Sequence, residues 1–335
     1  MDNYSKIKEI KDKFLSFYMM AGYHYVSPAP IIPENDNTIY FSNSAIVPFK
    51  KYLTTESPKL ATAQKCLRFR GGKNLFNIDE PPYMPYFNMM ASIANAKHCQ
   101  EIAETAQDFL LNTLNIPENR LYADVSSNDP IIIKNFEKYF ELHVDDFPDR
   151  EYQWKFGMNQ IYGRGLCFSM RYGDGKTGDL GQIIQINAPN ELTNYAFGFG
   201  AEKFLKMSEN LEHFYEATSV YDITKDIQGP LAWRYMGSVA SLCYIYSQNI
   251  NFDDPKYKKQ SKIVSSLLHQ TAVVSDLMGI PQSRINADIY KFSALEFNGR
   301  TNIEKLLHDI DDTKQKLRHD KSFQLMQQQL SGKTY

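Results

Sequence analysis

The sequence QKCLRFRGGK occupies residues 64–73 and decides the fold prediction for this 335-residue chain. It predicts a strand at 63–70, followed by a loop rich in Gly, Asn and Pro at 71–85 and a second strand at 86–90. Guanidinium groups beside a Gly-Gly turn suit a polyphosphate, because arginine makes bidentate contacts and bare backbone allows close approach. A solvated basic hairpin tip is the alternative interpretation.

Helix-like and strand-like segments surround this hairpin. The predicted helices of the first part lie at 5–21, 97–114 and 129–140, the last with Asp129 as N-cap; further strands lie at 38–42 and 121–125 and repeatedly within 152–199. After Gly200 the pattern is helical, with helices at 229–248, 254–278 and 301–330. Strand pairs without regular βαβ alternation predict an α+β fold, an antiparallel sheet flanked by helices. We expect this domain at 1–222 and an all-helical domain at 223–335.

Composition is that of an ordinary globular protein, with 43% apolar and 23% charged residues and a formal net charge of -2. The absence of a basic excess argues mildly against a nucleic-acid partner. The four cysteines have no metal-ligand spacing, and no apolar run is long enough to span a bilayer. We therefore predict no structural zinc, no membrane association and a cytoplasmic location; other metal ligands stay unassigned.

Two further patterns do not support a site. The run GDGKT at 173–177 resembles part of a P-loop, but Met170 stands where the first glycine belongs, so a hairpin turn is predicted instead. The lysines at 256, 258, 259 and 262 are typical of a solvated helix start.

Six segments in order resemble the catalytic region of alanyl-tRNA synthetases, over about 200 residues. They are residues 33–38 (PENDNT), 41–49 (FSNSAIVPF), 64–74 (QKCLRFRGGKN), 86–90 (YFNMM), 154–157 (WKFG) and 198–203 (GFGAEK). The third segment departs from the family pattern by one residue gained before the glycines and one lost after them. The ordered set is hard to reach by chance, although no single segment decides the matter.

The resemblance implies ATP and Mg²⁺ as cofactors and activation of an amino acid, or a related small carboxylic acid, as an acyl-adenylate. Arg68 and Lys203 are then the expected catalytic residues, Arg68 at the α-phosphate and Lys203 facing the β- and γ-phosphates. Phe87 is expected to stack on adenine. The other residues implied at the nucleotide are Arg70, Lys73, Gly198 and Gly200, and those implied at the acid are Trp154, Gln185, Asn187 and Ala196.

Three positions depart from the family. Lys203 replaces an arginine, Asn88 replaces a glutamate, and Ala196 replaces the aspartate that holds the α-ammonium of the substrate. Either the acid is not an ordinary α-amino acid, or another polar residue takes over, or no acid is activated. The candidate substitutes for the missing carboxylate are Asn187, Glu191 and Asn194.

The charge balance of the predicted helical domain indicates which kind of molecule accepts the acyl group. From Lys206 onward there are sixteen Lys/Arg against fifteen Asp/Glu. Phosphate contacts dominate RNA affinity, so a carrier protein, a peptide or a small amine is favoured over tRNA. The chain ends before the position of a family editing domain, so editing is not expected. Two alternatives stay open: a shortened enzyme that charges tRNA, and a non-catalytic regulatory protein that binds ATP or a partner. A homodimer is compatible with the family.

Overall fold

The computed structural model describes residues 1–33, 36, 38–69, 84–146, 152–189 and 191–319. The chain divides into two compact units: Met1–Leu67 with Phe87–Ala217, and Arg68–Tyr86 with Thr218–Tyr335. The sequence prediction put one boundary between residues 222 and 223. The observed division begins the second unit at Thr218 and also includes residues 68–86 in it.

Within the described ranges, nine strands form one sheet in the order β1-β2-β3-β9-β8-β7-β4-β5, with β6 beside β7. The strands are β1 (His24–Tyr25), β2 (Leu60–Leu67), β3 (Tyr86–Asn95), β4 (Leu121–Ser126), β5 (Leu142–Asp145), β6 (Gln153–Lys155), β7 (Tyr162–Tyr172), β8 (Lys176–Asn187) and β9 (Thr193–Gly200). Neighbours from β3 through β9, β8 and β7 to β4 are antiparallel. This confirms the α+β prediction.

The edges of the sheet are mixed, because β1 with β2 and β4 with β5 run parallel. A parallel pair needs a crossover, and the chain from β4 to β5 makes it through helix α3 (Pro130–Phe136). Strands β7 and β8 are joined by a tight turn in which Gly173 and Gly175 have positive φ angles of 51° and 81°. The predicted hairpin turn at GDGKT is thus confirmed.

Helices cover one face of the sheet. They are α1 (Asn3–Met20), α2 (Cys99–Asp108), which continues as a π-helical turn (Phe109–Thr113), and α4 (Ala201–Ser208). Phe14 of α1 lies at the centre of this core, with its ring centroid 5.2 Å from that of Phe109 and 5.9 Å from that of Phe199. Burying one such side chain contributes roughly 1.5–3 kcal/mol. The packing of these three aromatic rings therefore fixes which face of β9 points away from the helices.

Two local predictions about the first helix and the strand after it are wrong. The apolar spacing of residues 7, 10, 14, 17 and 20 predicts that Met20 is buried with the others. Met20 is instead 89% exposed, whereas Tyr18, which is not in that series, is buried. No strand forms at 38–42. The Asp36 carboxylate accepts from the backbone and the hydroxyl of Thr38, and the backbone N–H of Ser42 donates to the carbonyl of Ile31. These local bonds replace strand pairing.

Asp129 does not cap helix α3 with its side chain, and the helix ends at Phe136 rather than at residue 140. The carboxylate instead forms a bidentate ion pair with Arg164 of β7, including a 2.8 Å bond from Nη2 to Oδ2. A charge-assisted pair outweighs a single capping bond. The tertiary contact therefore overrides the local capping pattern.

The second unit is helical in its described part. Its helices are α5 (Tyr221–Thr224), α6 (Pro230–Tyr246), α7 (Lys258–Leu277), α8 (Gln282–Phe297) and α9 (Ile303–Arg318). The buried carboxylate of Asp288 accepts from Tyr235 Oη at 2.9 Å and from Arg284 Nε at 2.8 Å. Helices α6, α7 and α9 were predicted, whereas α5 and α8 were not. Of the helices described, none has the length and apolarity that crossing a membrane requires.

Candidate active site

Strand β9 divides its side chains between the two faces of the sheet. Phe199 belongs to the core under the helices, whereas Ala196, Gly198 and Gly200 alternate with it and lie on the other face. A Cβ on Gly198 would lie 3.3 Å from the backbone oxygen of Met90 on the neighbouring strand. Glycine leaves flat backbone there. We call this surface the glycine face, defined by Ala196, Gly198 and Gly200.

One row of paired residues crosses the glycine face. The register pairs Ala91 with Gly198, Gly198 with Gln182, Gln182 with Cys167, and Cys167 with Asp124. Directly paired residues on neighbouring strands project to the same side of a sheet. The row therefore passes from a strip of small residues to a polar region.

Strand β3 borders the small-residue strip with two large side chains. Phe87 and Met89 alternate with the core residue Met90, so they lie on the glycine face, and both are half-buried. The Met89 methyl carbon is 3.6 Å from the position of a Cβ on Gly198. An aromatic ring and a thioether beside flat backbone form a surface suited to a planar base. The structure places Phe87 on the same face of the sheet as Gly198 and Gly200, and its role at adenine stays a prediction.

Lys203 lies in the first turn of α4, immediately after β9. Its ammonium group forms an ion pair with Asp179 of β8, and the two side chains are 37% and 56% exposed. An exposed ion pair contributes little, typically 0.2–1 kcal/mol, so its cation can exchange partners readily. A phosphate would compete with Asp179 for Lys203.

Asn88 lies on the helix side of the sheet. Its side-chain Nδ2 donates to Glu202 Oε1 at 2.8 Å, its backbone N–H donates to the same carboxylate at 3.0 Å, and Lys11 Nζ donates to its Oδ1 at 3.3 Å. Glu202 is 2% exposed. A glutamate at 88 would bring a second carboxylate against this buried one. The neutral residue at 88 is therefore a partner for Glu202, and it removes no charge from the glycine face.

Cys167 is protonated at neutral pH. Burial, reinforced by the negative charges of Asp179 and Asp124, raises the pKa of its thiol to about 12. Asp124 also accepts from Ser169 Oγ at 2.8 Å. Because the thiolate is the nucleophilic form, this raised pKa lowers the reactivity of the Cys167 thiol at neutral pH. Cys167 therefore contributes an uncharged side chain to the row, between Gln182 and Asp124.

Ala196 lies in an apolar cluster together with Trp154. The register places Ile93 and Ile184 on either side of Ala196, and Phe156 packs in the same cluster. Trp154 is half-buried against it. The structure thus brings together two of the four residues expected to bind the acid.

The other two, Gln185 and Asn187, lie on the helix side. Gln185 Oε1 accepts from the hydroxyl of the core residue Tyr195 at 2.9 Å, and its Nε2 donates to Asn187 Oδ1 at 3.1 Å. Of the suggested substitutes for a carboxylate, Asn194 is buried and bonded to the backbone at both amide atoms, and Glu191 is exposed in a turn.

Most of the predicted basic hairpin lies outside the residues that the structure describes. Arg70 and Lys73 are not among the described residues. Arg68 directly follows the last residue of β2; its side chain is exposed, and its backbone N–H donates to the carbonyl of Pro85 at 2.9 Å. The roles expected for these three residues stay predictions.

A family model for class II (A) tRNA synthetases matches residues 9–188, more than half of the chain. The chain belongs to the class II tRNA synthetase family. The matched range runs from α1 through β8 and so includes most of the sheet that carries the glycine face. Strand β9 and helix α4 follow it.

Curated relatives of this synthetase-family chain are alanine–tRNA ligases. The Wolbachia pipientis wMel protein is 33% identical over 131 residues, covering 37% of this chain and 15% of the relative. The Campylobacter jejuni (strain RM1221) protein is 27% identical over 160 residues, covering 44% of this chain and 19% of the relative. The similarity thus spans less than a fifth of the length of these relatives.

Two solved synthetase structures resemble the fold more distantly. Apo histidyl-tRNA synthetase from S. aureus aligns with 60% of this chain and 65% of its own, at a TM-score of 0.42 and 10% identity. A Desulfitobacterium hafniense pyrrolysyl-tRNA synthetase structure aligns with 62% of this chain and 70% of its own, at a TM-score of 0.38 and 12% identity.

Sequence reasoning missed several polar residues of this synthetase-family chain. Asp179 follows the run rejected as a P-loop, and Cys167 and Gln182 lie in segments recognised only as strands. Strand alternation outward from Gly198 was the available signal for the latter two. Glu202, by contrast, stood within the matched GFGAEK segment, but its buried contact with Asn88 joins residues 114 positions apart and left no local pattern.

Proposed function

We propose that this class II synthetase-family chain uses ATP to activate a small amino or carboxylic acid as an acyl-adenylate and transfers the acyl group to an acceptor other than tRNA. The observation that carries the proposal is the arrangement of the glycine face. A flat strip at Gly198 and Gly200 has Phe87 on one side and the Lys203–Asp179 pair on the other. Adenine would stack against Phe87, and the phosphates would extend toward Lys203.

Activation forms one bond and breaks another. A carboxylate oxygen of the acid attacks the α-phosphorus, and the bond from that phosphorus to the bridging oxygen breaks, so that pyrophosphate leaves with the electron pair. Negative charge grows on the leaving group, which cations must stabilise. Lys203 is proposed for the β- and γ-phosphates and Arg68 for the α-phosphate, with Arg70 as the substitute for Arg68 and Lys73 as a further nucleotide-binding residue.

Mg²⁺ would supply further positive charge to the triphosphate. Protein sites for this ion commonly use one or two carboxylates together with substrate phosphates and water. The described residues contain no cluster of three or more His, Cys, Asp or Glu that could hold a metal by itself. Asp179 and Asp124, which both act on Cys167, are carboxylates that fit a phosphate-bound ion.

The acceptor is argued from charge. The near balance of sixteen basic and fifteen acidic residues after position 205 gives that part no net attraction for an RNA backbone. This supports a carrier protein, a peptide or a small amine. Similarity to alanine–tRNA ligases keeps tRNA charging as the second candidate. A non-catalytic regulator is the third candidate. The replacement of a glutamate by Asn88 does not support it, because Asn88 lies on the helix side of the sheet.

Replacing Lys203 with alanine should lower kcat/KM for ATP in ATP–pyrophosphate exchange by roughly 10- to 30-fold, since one phosphate-binding cation is lost at a partly exposed position. Lys203→Arg should retain most of the activity. Lys206→Ala is the matched control: it removes the same charge from the same helix, where the ammonium contacts Tyr172 Oη at 2.7 Å. Equal losses in both alanine variants would contradict the assignment of Lys203.

A gel shift against total tRNA separates the two leading candidates. The proposal expects weak binding whose salt dependence is shallow, because few phosphates are neutralised. Tight binding with a steep salt slope, together with acylation of the tRNA, would establish the second candidate instead.

A further inference from the structure

The two ends of the basic hairpin, at residues 68 and 86, belong to the same compact unit as helices α5 to α9. The backbone N–H of Arg68 donates to the carbonyl of Pro85 at 2.9 Å. Tyr86 follows Pro85 directly, as the first residue of β3, and is 4% exposed. Because Pro85 is bonded covalently to Tyr86 and by this hydrogen bond to Arg68, contacts that hold Tyr86 also hold the backbone of Arg68.

Helix α8 holds Tyr86 by its hydroxyl and by its ring. The hydroxyl donates to Glu296 Oε2 at 3.1 Å, and Oε1 of the same carboxylate accepts from the hydroxyl of the buried Ser219. The ring packs edge-on against three aromatic side chains, with centroid distances between 5.6 and 6.3 Å, and these are Tyr244, Phe292 and Phe297. Polar and apolar contacts thus fix Tyr86 at the C-terminal end of α8.

Glu296 stands where helix geometry disfavours a carboxylate. It lies in the last turn of α8, which ends at Asn298 with a positive φ of 52°. The helix dipole places partial negative charge at this end, and the last turn of this fully described helix contains no basic residue. The hydroxyl donors of Tyr86 and Ser219 offset that cost. The contact with the hairpin, rather than the stability of the helix, therefore accounts for an acidic residue at 296.

We propose that Tyr86 and Glu296 are positioning residues for ATP: helix α8 fixes the base of the hairpin and so sets the place of the Arg68 guanidinium. The inference rests on the proposed function, in which Arg68 binds the α-phosphate. A misplacement of about 1 Å in such a group costs up to roughly 100-fold in rate, and a residue at the end of a strand needs support from neighbouring elements. Neither Tyr86 nor Glu296 has to touch the nucleotide for this.

A double-mutant cycle on ATP affinity tests the inference without relying on turnover. Tyr86→Phe removes the hydroxyl and keeps the ring, and we expect it to raise the Kd for ATP with Mg²⁺ by roughly five- to tenfold, measured calorimetrically on the full chain. In the Arg68→Ala background the same change should alter the Kd by less than about twofold, because the group that Tyr86 positions is already gone. Equal weakening in both backgrounds would overturn the inference.

Glu296→Gln provides a second variant of the same contact. It keeps the size of the side chain but offers one acceptor oxygen where the carboxylate offers two, so it should raise the Kd for ATP in the same way. If Tyr86→Phe does not fold, as judged by its thermal melt, Glu296→Gln decides by the same cycle with Arg68→Ala.

Tyr235→Phe is the matched control. Its hydroxyl donates to the carboxylate of Asp288 at 2.9 Å in the same unit, so the variant loses the same kind of buried bond. It should show a similar shift in its thermal melt and leave the Kd for ATP within about twofold. An equal rise in Kd for Tyr235→Phe, or an unchanged Kd for Tyr86→Phe, would overturn the inference and leave the proposed function standing. No binding of ATP by the parent chain would overturn both.

Discussion

Replacing Arg68 with alanine is expected to reduce kcat for ATP–pyrophosphate exchange by roughly 100- to 1,000-fold, or about 3–4 kcal/mol of transition-state stabilisation. In the proposed function the guanidinium of Arg68 binds the α-phosphate, whose phosphorus is partly bonded to both the attacking and the leaving oxygen in the transition state. The two parallel N–H donors of an arginine match the phosphate oxygens. Arg68→Lys should therefore keep the charge but not the geometry, and its kcat should fall between that of the parent and that of Arg68→Ala. Exchange of radiolabelled pyrophosphate into ATP measures this directly.

The control for Arg68 is Arg300→Ala, an exposed arginine of the helical unit. It removes the same charge and should leave exchange within twofold of the parent. Thermal melts of both variants establish that they are folded. Full activity in Arg68→Ala would show that another residue holds the α-phosphate.

Asn88→Asp is expected to destabilise the fold by about 1–3 kcal/mol at pH 7, because it sets a second carboxylate against the buried Glu202 and the Lys11 ammonium, 3.3 Å from the side-chain oxygen at 88, offsets only part of the repulsion. Two carboxylates in contact cannot both ionise easily, so the pair shares a proton and titrates as a unit. Urea unfolding across a range of pH measures the effect.

The pH dependence of Asn88→Asp has a definite sign. The folded variant retains a proton on the pair above pH 4, where the unfolded carboxyl groups, with pKa values of about 4, have lost theirs. Since the native state binds more protons, the variant loses stability relative to the parent as the pH rises above that value. Asn251→Asp, in an exposed turn of the second unit, is the matched control and should change stability by less than about 0.5 kcal/mol at any pH. A flat profile for Asn88→Asp would mean that the Asn88–Glu202 contact is absent.

Local patterns predicted most strands of the sheet, but not β1 or β5, and they also predicted a strand at 38–42 that does not form. The β7–β8 hairpin followed from its Gly-rich turn, and the strands on either side of the basic loop followed from their composition. Helix α1 followed from its apolar spacing, although Tyr18 rather than Met20 faces the core. Such features depend on residues close in sequence, which is why composition and periodicity are enough.

The face of the sheet on which each polar side chain lies could not be predicted in the same way. Asn88, Gln185 and Asn187 differ from residues of the glycine face by a single strand position, and one position reverses the face. Only the packed aromatic residues of β9 and α1 fix that phase. The Lys203–Asp179 pair joins residues 24 positions apart across β8 and α4, so no local pattern marks it.

The most direct test of the central claim uses two adjacent methionines. Met89 lies on the glycine face beside Gly198, and Met90 is fully buried under the helices. In a chain labelled with ¹³C-methyl methionine, saturating ATP with Mg²⁺ should shift the Met89 methyl resonance through the ring current of adenine and leave that of Met90 nearly unchanged. An unmoved Met89 resonance at saturation would contradict nucleotide binding on this face.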